Sequence, residues 1–355
     1  LKKLRIPLLF LLAIGCASTR PQAVSEERLA TPELVVRPPS PEDFAGATPP
    51  PQVAGNAQAT MKIFYGDDSY CCGVRVADAL ILSSAHCYIG FNGDEPLEKS
   101  EPHRIKRNGQ EHRLEVAELG NWAPPEGKMD DWILFSPIGG TGVLDGIPVV
   151  AFPDKAEWDA ILANRGRFGA ADRGAPIWHI SFLGLPIRRM YPRPVFVDPN
   201  EPFFSKGFIK SERAYKKNTL FILLRNQFYD DLLSGSYPNF EVDVDAEWEK
   251  LPTMKEPKSA KYVYMWLQRW SDAVDRVLYH TADYFLFSCG GGHYSEDTGH
   301  YLGFVTANAA IVNPENTFTG GSGLLLYRID QVCEQSALLS KLEKCRLLVG
   351  VKRGG

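Results

Sequence analysis

Cys72-Gly73-Val74, followed by Leu80-Ile81-Leu82-Ser83-Ser84-Ala85-His86-Cys87, is the stretch on which the fold reading turns. Both apolar runs are short, and turn-forming residues separate them, so they read as two neighbouring strands. The second strand delivers a histidine directly followed by a cysteine. Working outward, further strand-like runs lie at 61–65, 132–135, 148–152 and 177–182, and again at 301–306, 324–327 and 347–351. Gly, Pro, Asn and Asp stand between them. Many short strands without regularly alternating helices indicate an all-β sandwich or barrel.

Two other segments give His86 chemical meaning. Asp131-Trp132-Ile133-Leu134 places an acid directly before an apolar strand, and Gly320-Gly321-Ser322-Gly323 sets a serine among glycines. Alone, an Asp before a strand or a Gly/Ser turn is common loop chemistry. A serine hydroxyl, however, becomes nucleophilic when a neutral imidazole takes its proton, and an acid on the other ring nitrogen holds the imidazole in the right tautomer. Three known folds carry this chemistry in three chain orders, and His, then Asp, then Ser matches one of them.

These segments resemble the trypsin-like (chymotrypsin-type) serine protease family. The resemblance covers about residues 60–155 and 300–351 and leaves the middle unmatched. It implies a mainly β fold, a double six-stranded β-barrel, with His86 as general base then acid, Asp131 as its orienting group and Ser322 as nucleophile. The N–H groups of Gly320 and Ser322 would form the oxyanion hole. It further implies a disulfide between Cys72 and Cys87 and places Asn316 at the base of the substrate pocket. Asp130, beside the acid, reads as a solvated neighbour. Residues 348–351 resemble the late strand that leads to the specificity pocket, with the family's terminal helix falling at or beyond residue 355. The chain departs from the family in having Gly321 where an activation-linked aspartate stands, and Leu324-Leu325 where a small residue and proline are usual.

The remaining organisation frames this domain. Residues 1–16 combine a basic start, Lys2-Lys3-Leu4-Arg5, with an apolar run over 6–15 that is about half of the roughly 20 residues a bilayer-spanning helix needs. They read as an export signal. Leu12-Ala13-Ile14-Gly15-Cys16 resembles the lipobox of bacterial lipoproteins, which implies lipidation at Cys16 and attachment to the bacterial envelope, at the outer membrane; the alternative is an ordinary cleaved signal and a periplasmic or secreted product. Residues 17–58 hold eight prolines and no apolar periodicity, and read as an extended tether. The protease-like domain spans 59–355, interrupted at 199–283 by a helical insertion. Within it Ser259 caps a helix in which Val263, Trp266, Leu267, Trp270, Ala273, Val274, Val277 and Leu278 recur at helical spacing, with a second helix over 219–233.

Seven cysteines in an exported chain leave six after Cys16, an even number that favours disulfides, with Cys333 and Cys345 a second local pair. Cys289, His293 and His300 fit no firm zinc spacing and read as a disulfide cysteine and loop histidines. The net charge of −4 provides no basic stripe, so nucleic acid is excluded as a partner on electrostatic grounds. Protein or peptide substrates are expected, with no cofactor and no metal. The rival reading is a non-catalytic barrel that engages a partner through the insertion.

Overall fold

The structure, a computed structural model, describes residues 47–65, 69–89, 103–123, 126–166, 174–182, 200–211, 246, 274–280, 282, 289–307 and 325–350. After a short helix α1 (Pro51–Ala54), the chain forms β1 (Thr60–Tyr65), β2 (Ser69–Ala77) and β3 (Leu80–Ser83). A one-turn helix α2 (His86–Ile89) follows, then β4 (Arg104–Arg107) and β5 (Gln110–Leu119). A small ribbon of β6 (Trp122–Ala123) and β7 (Lys128–Met129) leads into β8 (Ile133–Pro137). Strands β1-β2-β3-β8-β5-β4 close into an antiparallel barrel. Closure leaves no free edge for aberrant pairing.

Apolar side chains fill this first barrel because the strands alternate. A Cβ on Gly73 would come within 2.6 Å of Ile63 and 2.7 Å of Ile81, so the missing side chain on β2 is the space those two isoleucines occupy. Ile63 and Ile81 are both fully buried. Each contributes about 2 kcal/mol in apolar area removed from water.

The second barrel closes with β9 (Pro176–Phe182), β10 (Pro202–Lys210), β11 (Val277–His280), β12 (Gly292–Ser295), β13 (Tyr301–Ala307) and β14 (Leu325–Arg328), in the order β10-β11-β14-β13-β12-β9. Helix α3 (Lys155–Ala163) stands between the barrels in sequence, and α4 (Ile329–Gln335) and α5 (Glu343–Val349) follow β14. Asp154 caps α3 by accepting from the Glu157 N–H at 2.9 Å. The Cys333–Cys345 disulfide ties α4 to α5. Lys344 of α5 donates to the carbonyls of Val76 in β2 and of Val150, and burial pulls its ammonium down to about 8.

The interior of the second barrel holds an unexpected polar layer. In the pairing registers Ser205 of β10 lies opposite His179 of β9, and His179 lies opposite His293 of β12, so the three share one face. His280 of β11 brings its ring within 4.2 Å of His293, and His293 lies 4.7 Å from His179, centroid to centroid. All three histidines have no solvent exposure. Burial drives each to the neutral form and pulls His179 down to about 3; the neighbouring rings add to the effect at His280 and His293.

Several sequence expectations change here. Residues 148–152 form no strand: the Val150 N–H donates to Arg75 in the first barrel, while the Ala151 carbonyl accepts from Tyr301 in the second, so the segment bonds both ways and joins neither ladder. Residues 347–349 belong to α5 rather than to a strand, and helices do follow the last barrel strand. Both ends of the expected helical insertion at 199–283 are barrel strands, β10 and β11. Val277 and Leu278 leave the helical pattern because they pair with Tyr327 and Leu326 of β14. Residues 219–233 and 259–273 lie outside the described residues.

Candidate active site at the barrel junction

His86 opens α2 directly after β3, and Asp131 stands in the tight turn before β8, the strand hydrogen-bonded to β3. That adjacency explains how residues far apart in sequence meet. The Asp131 N–H donates to the Met129 carbonyl and the Trp132 N–H to Asp130, which folds the turn and aims the carboxylate inward. His86 Nδ1 lies 2.8 Å from Asp131 Oδ2, and the His86 backbone N–H donates to Oδ1, also at 2.8 Å. An ionised carboxylate only accepts, so Nδ1 carries the proton and Nε2 is left basic. Asp131 is fully buried and His86 is 3% exposed. Trp122 flanks the imidazole, with ring centroids 6.3 Å apart.

Thr306 completes the acid's environment. Its Oγ1 donates to Asp131 Oδ2 from β13 of the second barrel. The β13–β14 register shifts between Val305 and Ala307, and this bulge leaves Thr306 out of the ladder and turns its side chain toward the first barrel. Nothing in the sequence marked Thr306, because a Thr in a strand is ordinary β chemistry. Losing a hydrogen bond to a charged group costs about 1.5–3 kcal/mol. Thr306→Val is therefore expected to lower kcat about 10-fold or more with little change in KM, read by steady-state kinetics. An unchanged kcat would show that the bond does not hold Asp131 for catalysis.

The disulfide at this corner differs from the sequence expectation. Cys71, not Cys72, is bonded to Cys87. Adjacent strand residues point to opposite faces, so only one of the pair can face Cys87. Cys72 is a buried thiol outside any disulfide, pushed by burial up to about 12. Asp130 is more than a solvated neighbour: half-buried, it pairs with Arg276 at 2.5 Å and accepts from Tyr327 and Gln335, tying the two barrels together beneath the site. Among the remaining sequence candidates, Ser322, Gly320, Asn316 and Cys16 lie outside the described residues. Cys289, His293 and His300 occupy three different settings. Cys289 packs with Cys71 and Cys87, His293 lies in the second barrel's interior, and His300 pairs with Glu157 at 2.6 Å. Among the described residues no group of three or more His, Cys, Asp or Glu side chains is arranged to hold a metal ion.

No protein-family model and no curated protein matches this sequence. Solved structures similar to it include an inactive mutant form of Rv3671c from M. tuberculosis H37Rv, at 12% identity and TM-score 0.41 over 87% of this chain and 98% of that one. A serine endoprotease from Yersinia pestis matches at 10% identity and TM-score 0.42, covering 83% of this chain and 69% of that one. A scabies mite inactivated protease paralogue matches at 8% identity and TM-score 0.44, over 83% and 97%. Two closed six-stranded antiparallel barrels, with a His–Asp pair in the first, make this the trypsin-like double-barrel fold.

Proposed function

We propose that the chain is an endopeptidase that hydrolyses peptide bonds in protein or peptide substrates, with His86 as general base and then general acid. The observation that carries this reading is the buried His86–Asp131 pair, in which one carboxylate fixes both the backbone and the ring of the histidine. With its proton on Nδ1, His86 uses Nε2 to take a nucleophile's proton and later returns it to the leaving amine. Asp131 stabilises the imidazolium that forms in between. The sequence resemblance implies Ser322 as the nucleophile and the Gly320 and Ser322 N–H groups as the oxyanion hole.

The test uses a denatured protein substrate and counts new amino termini by mass spectrometry. The full chain is expected to generate them and His86→Ala to generate none above background. Equal counts from both proteins would remove His86 from the reaction.

We further propose that the protein acts at the bacterial cell envelope, held by a lipid on Cys16. The signal-like residues 1–16 support this, as do two disulfides, which persist in oxidising compartments. No helix among the described residues is long and apolar enough to cross a membrane. Labelling with a palmitate analogue is expected to mark the full chain in cells and to be lost in Cys16→Ala; labelling retained by the variant would refute lipidation there.

A further inference from the structure

The chain reaches the His86 corner from the second barrel at Cys289, between β11 and β12. The Cys289 carbonyl accepts from the Cys72 N–H of the first barrel at 2.7 Å. Gly290 N–H donates to the Val305 carbonyl and Val305 N–H to the Gly291 carbonyl, each at 3.0 Å. Val305 is the neighbour of Thr306, the residue that holds Asp131. The same Val305 carbonyl accepts from Ser84 Oγ at 2.7 Å, two residues before His86. The Cys289 segment is therefore bonded to Val305, which stands beside Thr306, the residue that donates to Asp131, and which also accepts from Ser84, two residues before His86.

The side chain points the same way. Cys289 packs in a buried cluster with Cys71 and Cys87, and Cys87 directly follows His86. Gly290 has φ of +81°, and a Cβ there would stand 2.0 Å from the Cys72 carbonyl oxygen, so only glycine allows the backbone this close. Among the described residues, Ser83, Ser84 and Cys72 at this corner are committed elsewhere. Ser83 Oγ donates to the Cys72 carbonyl at 2.6 Å, Ser84 Oγ donates to Val305, and the Cys72 thiol is held protonated by burial. Ser322, by contrast, belongs to the chain between β13 and β14.

We propose that Cys289, rather than Ser322, supplies the nucleophile to the His86–Asp131 pair, so that hydrolysis passes through a thioester. This rests on the endopeptidase reading above. His86 Nε2 takes the thiol proton, Cys289 Sγ attacks the scissile carbonyl carbon, and a C–S bond forms as the C–N bond breaks. The His86 proton goes to the leaving amine. Water, deprotonated by His86, then cleaves the thioester to a carboxylate, and the proton returns to Sγ. Cys289 is disulfide-bonded in this structure, so a chain in this form, which carries no lipid on Cys16, requires a dithiol reductant to become active. The reductant's thiolate attacks the disulfide, Cys289 leaves as thiolate, and the reductant is oxidised to its own disulfide.

The test measures two quantities on the full chain, with and without dithiothreitol. These are cleavage of a denatured protein substrate and the rate of iodoacetamide alkylation at Cys289, read by peptide mapping. Wild type, Cys289→Ala, Cys289→Ser, Ser322→Ala and His86→Ala are compared, each checked for native circular dichroism. The proposal expects reductant-dependent cleavage, a loss of about 10³-fold or more in Cys289→Ala, and Ser322→Ala within about 3-fold of wild type. It also expects Cys289 to be alkylated at least about 10-fold faster than in His86→Ala, with activity lost in step. Cleavage that survives in Cys289→Ala and disappears in Ser322→Ala overturns the proposal and leaves the endopeptidase reading intact. Rapid, His86-dependent alkylation without any cleavage supports an activated Cys289 and overturns the endopeptidase reading. Slow alkylation in folded, reduced wild type overturns the proposal in either case.

Discussion

Replacing Asp131 by Asn is expected to lower kcat by about 10⁴-fold while KM changes little. The carboxylate accepts from the His86 ring, from the His86 backbone and from Thr306, all without solvent. An amide in the same place presents an N–H₂ group to one of these donors. If that group faces Nδ1, the ring must accept there and carry its proton on Nε2, where it can no longer take the nucleophile's proton. The amide also offers no charge to the imidazolium that forms during the reaction. Substrate contacts are untouched, so the loss appears in kcat, measured with a quenched peptide once a cleavage site is known. A drop below about 10-fold in a folded variant would show that Asp131 has no such part in the chemistry.

The second large effect concerns stability. His179, His280 and His293 lie neutral inside the second barrel, with native pKa values far below the ordinary one. In the unfolded chain each titrates near about 6.5. Below that pH the unfolded state binds protons that the native state refuses, so stability falls as pH drops through about 6.5 and keeps falling toward the native values. Above it these groups contribute no pH dependence. Each histidine adds a slope of up to about 1.4 kcal/mol per pH unit, and three together about 4. Against a domain stability of about 5–15 kcal/mol, that is enough to unfold the barrel within a few pH units. Urea unfolding followed by circular dichroism is expected to give a steep loss below pH 6 and, from pH 7 to 8, only the shallow rise that Lys344 contributes as the native state begins to release its proton. His280→Phe is expected to reduce the slope by about a third. A slope identical in the two proteins would show that His280 does not titrate on unfolding.

The first barrel was legible because its signals are local. The run from Cys72 to Cys87 alternates apolar residues over two short strands, and the Asp131 segment opens a third, so β2, β3 and β8 could be read without tertiary information. Strands β10 and β11 were missed for a physical reason. Val277 and Leu278 continue a helical spacing that begins before them, and only pairing with β14 makes them a strand. The terminal helix was expected at or beyond residue 355 because Leu347-Leu348-Val349 is apolar enough for either structure; these residues lie in α5, which the Cys333–Cys345 bridge ties to α4 and Lys344 anchors to the Val76 and Val150 carbonyls.

The site was half legible. His86 and Asp131 carry recognisable flanks, whereas Thr306 acts through a bulge that no composition announces. The choice between Cys71 and Cys72 turned on strand phase, which a one-residue shift reverses. Cys289 and His293 were visible as residues but not as neighbours of anything. The three glycines after Cys289 were a signal of close backbone approach, and Gly290 against Cys72 realises it.

The central claim is that His86 and Asp131 act as one unit in peptide-bond hydrolysis, and a double-mutant cycle tests it most directly. kcat/KM is measured for wild type, His86→Ala, Asp131→Asn and the double variant on one peptide under reducing conditions. The double variant is expected to be no slower than His86→Ala alone, because Asp131 has no function once the ring is gone. Losses that multiply, with the double variant slower by the product of the two single effects, would contradict it.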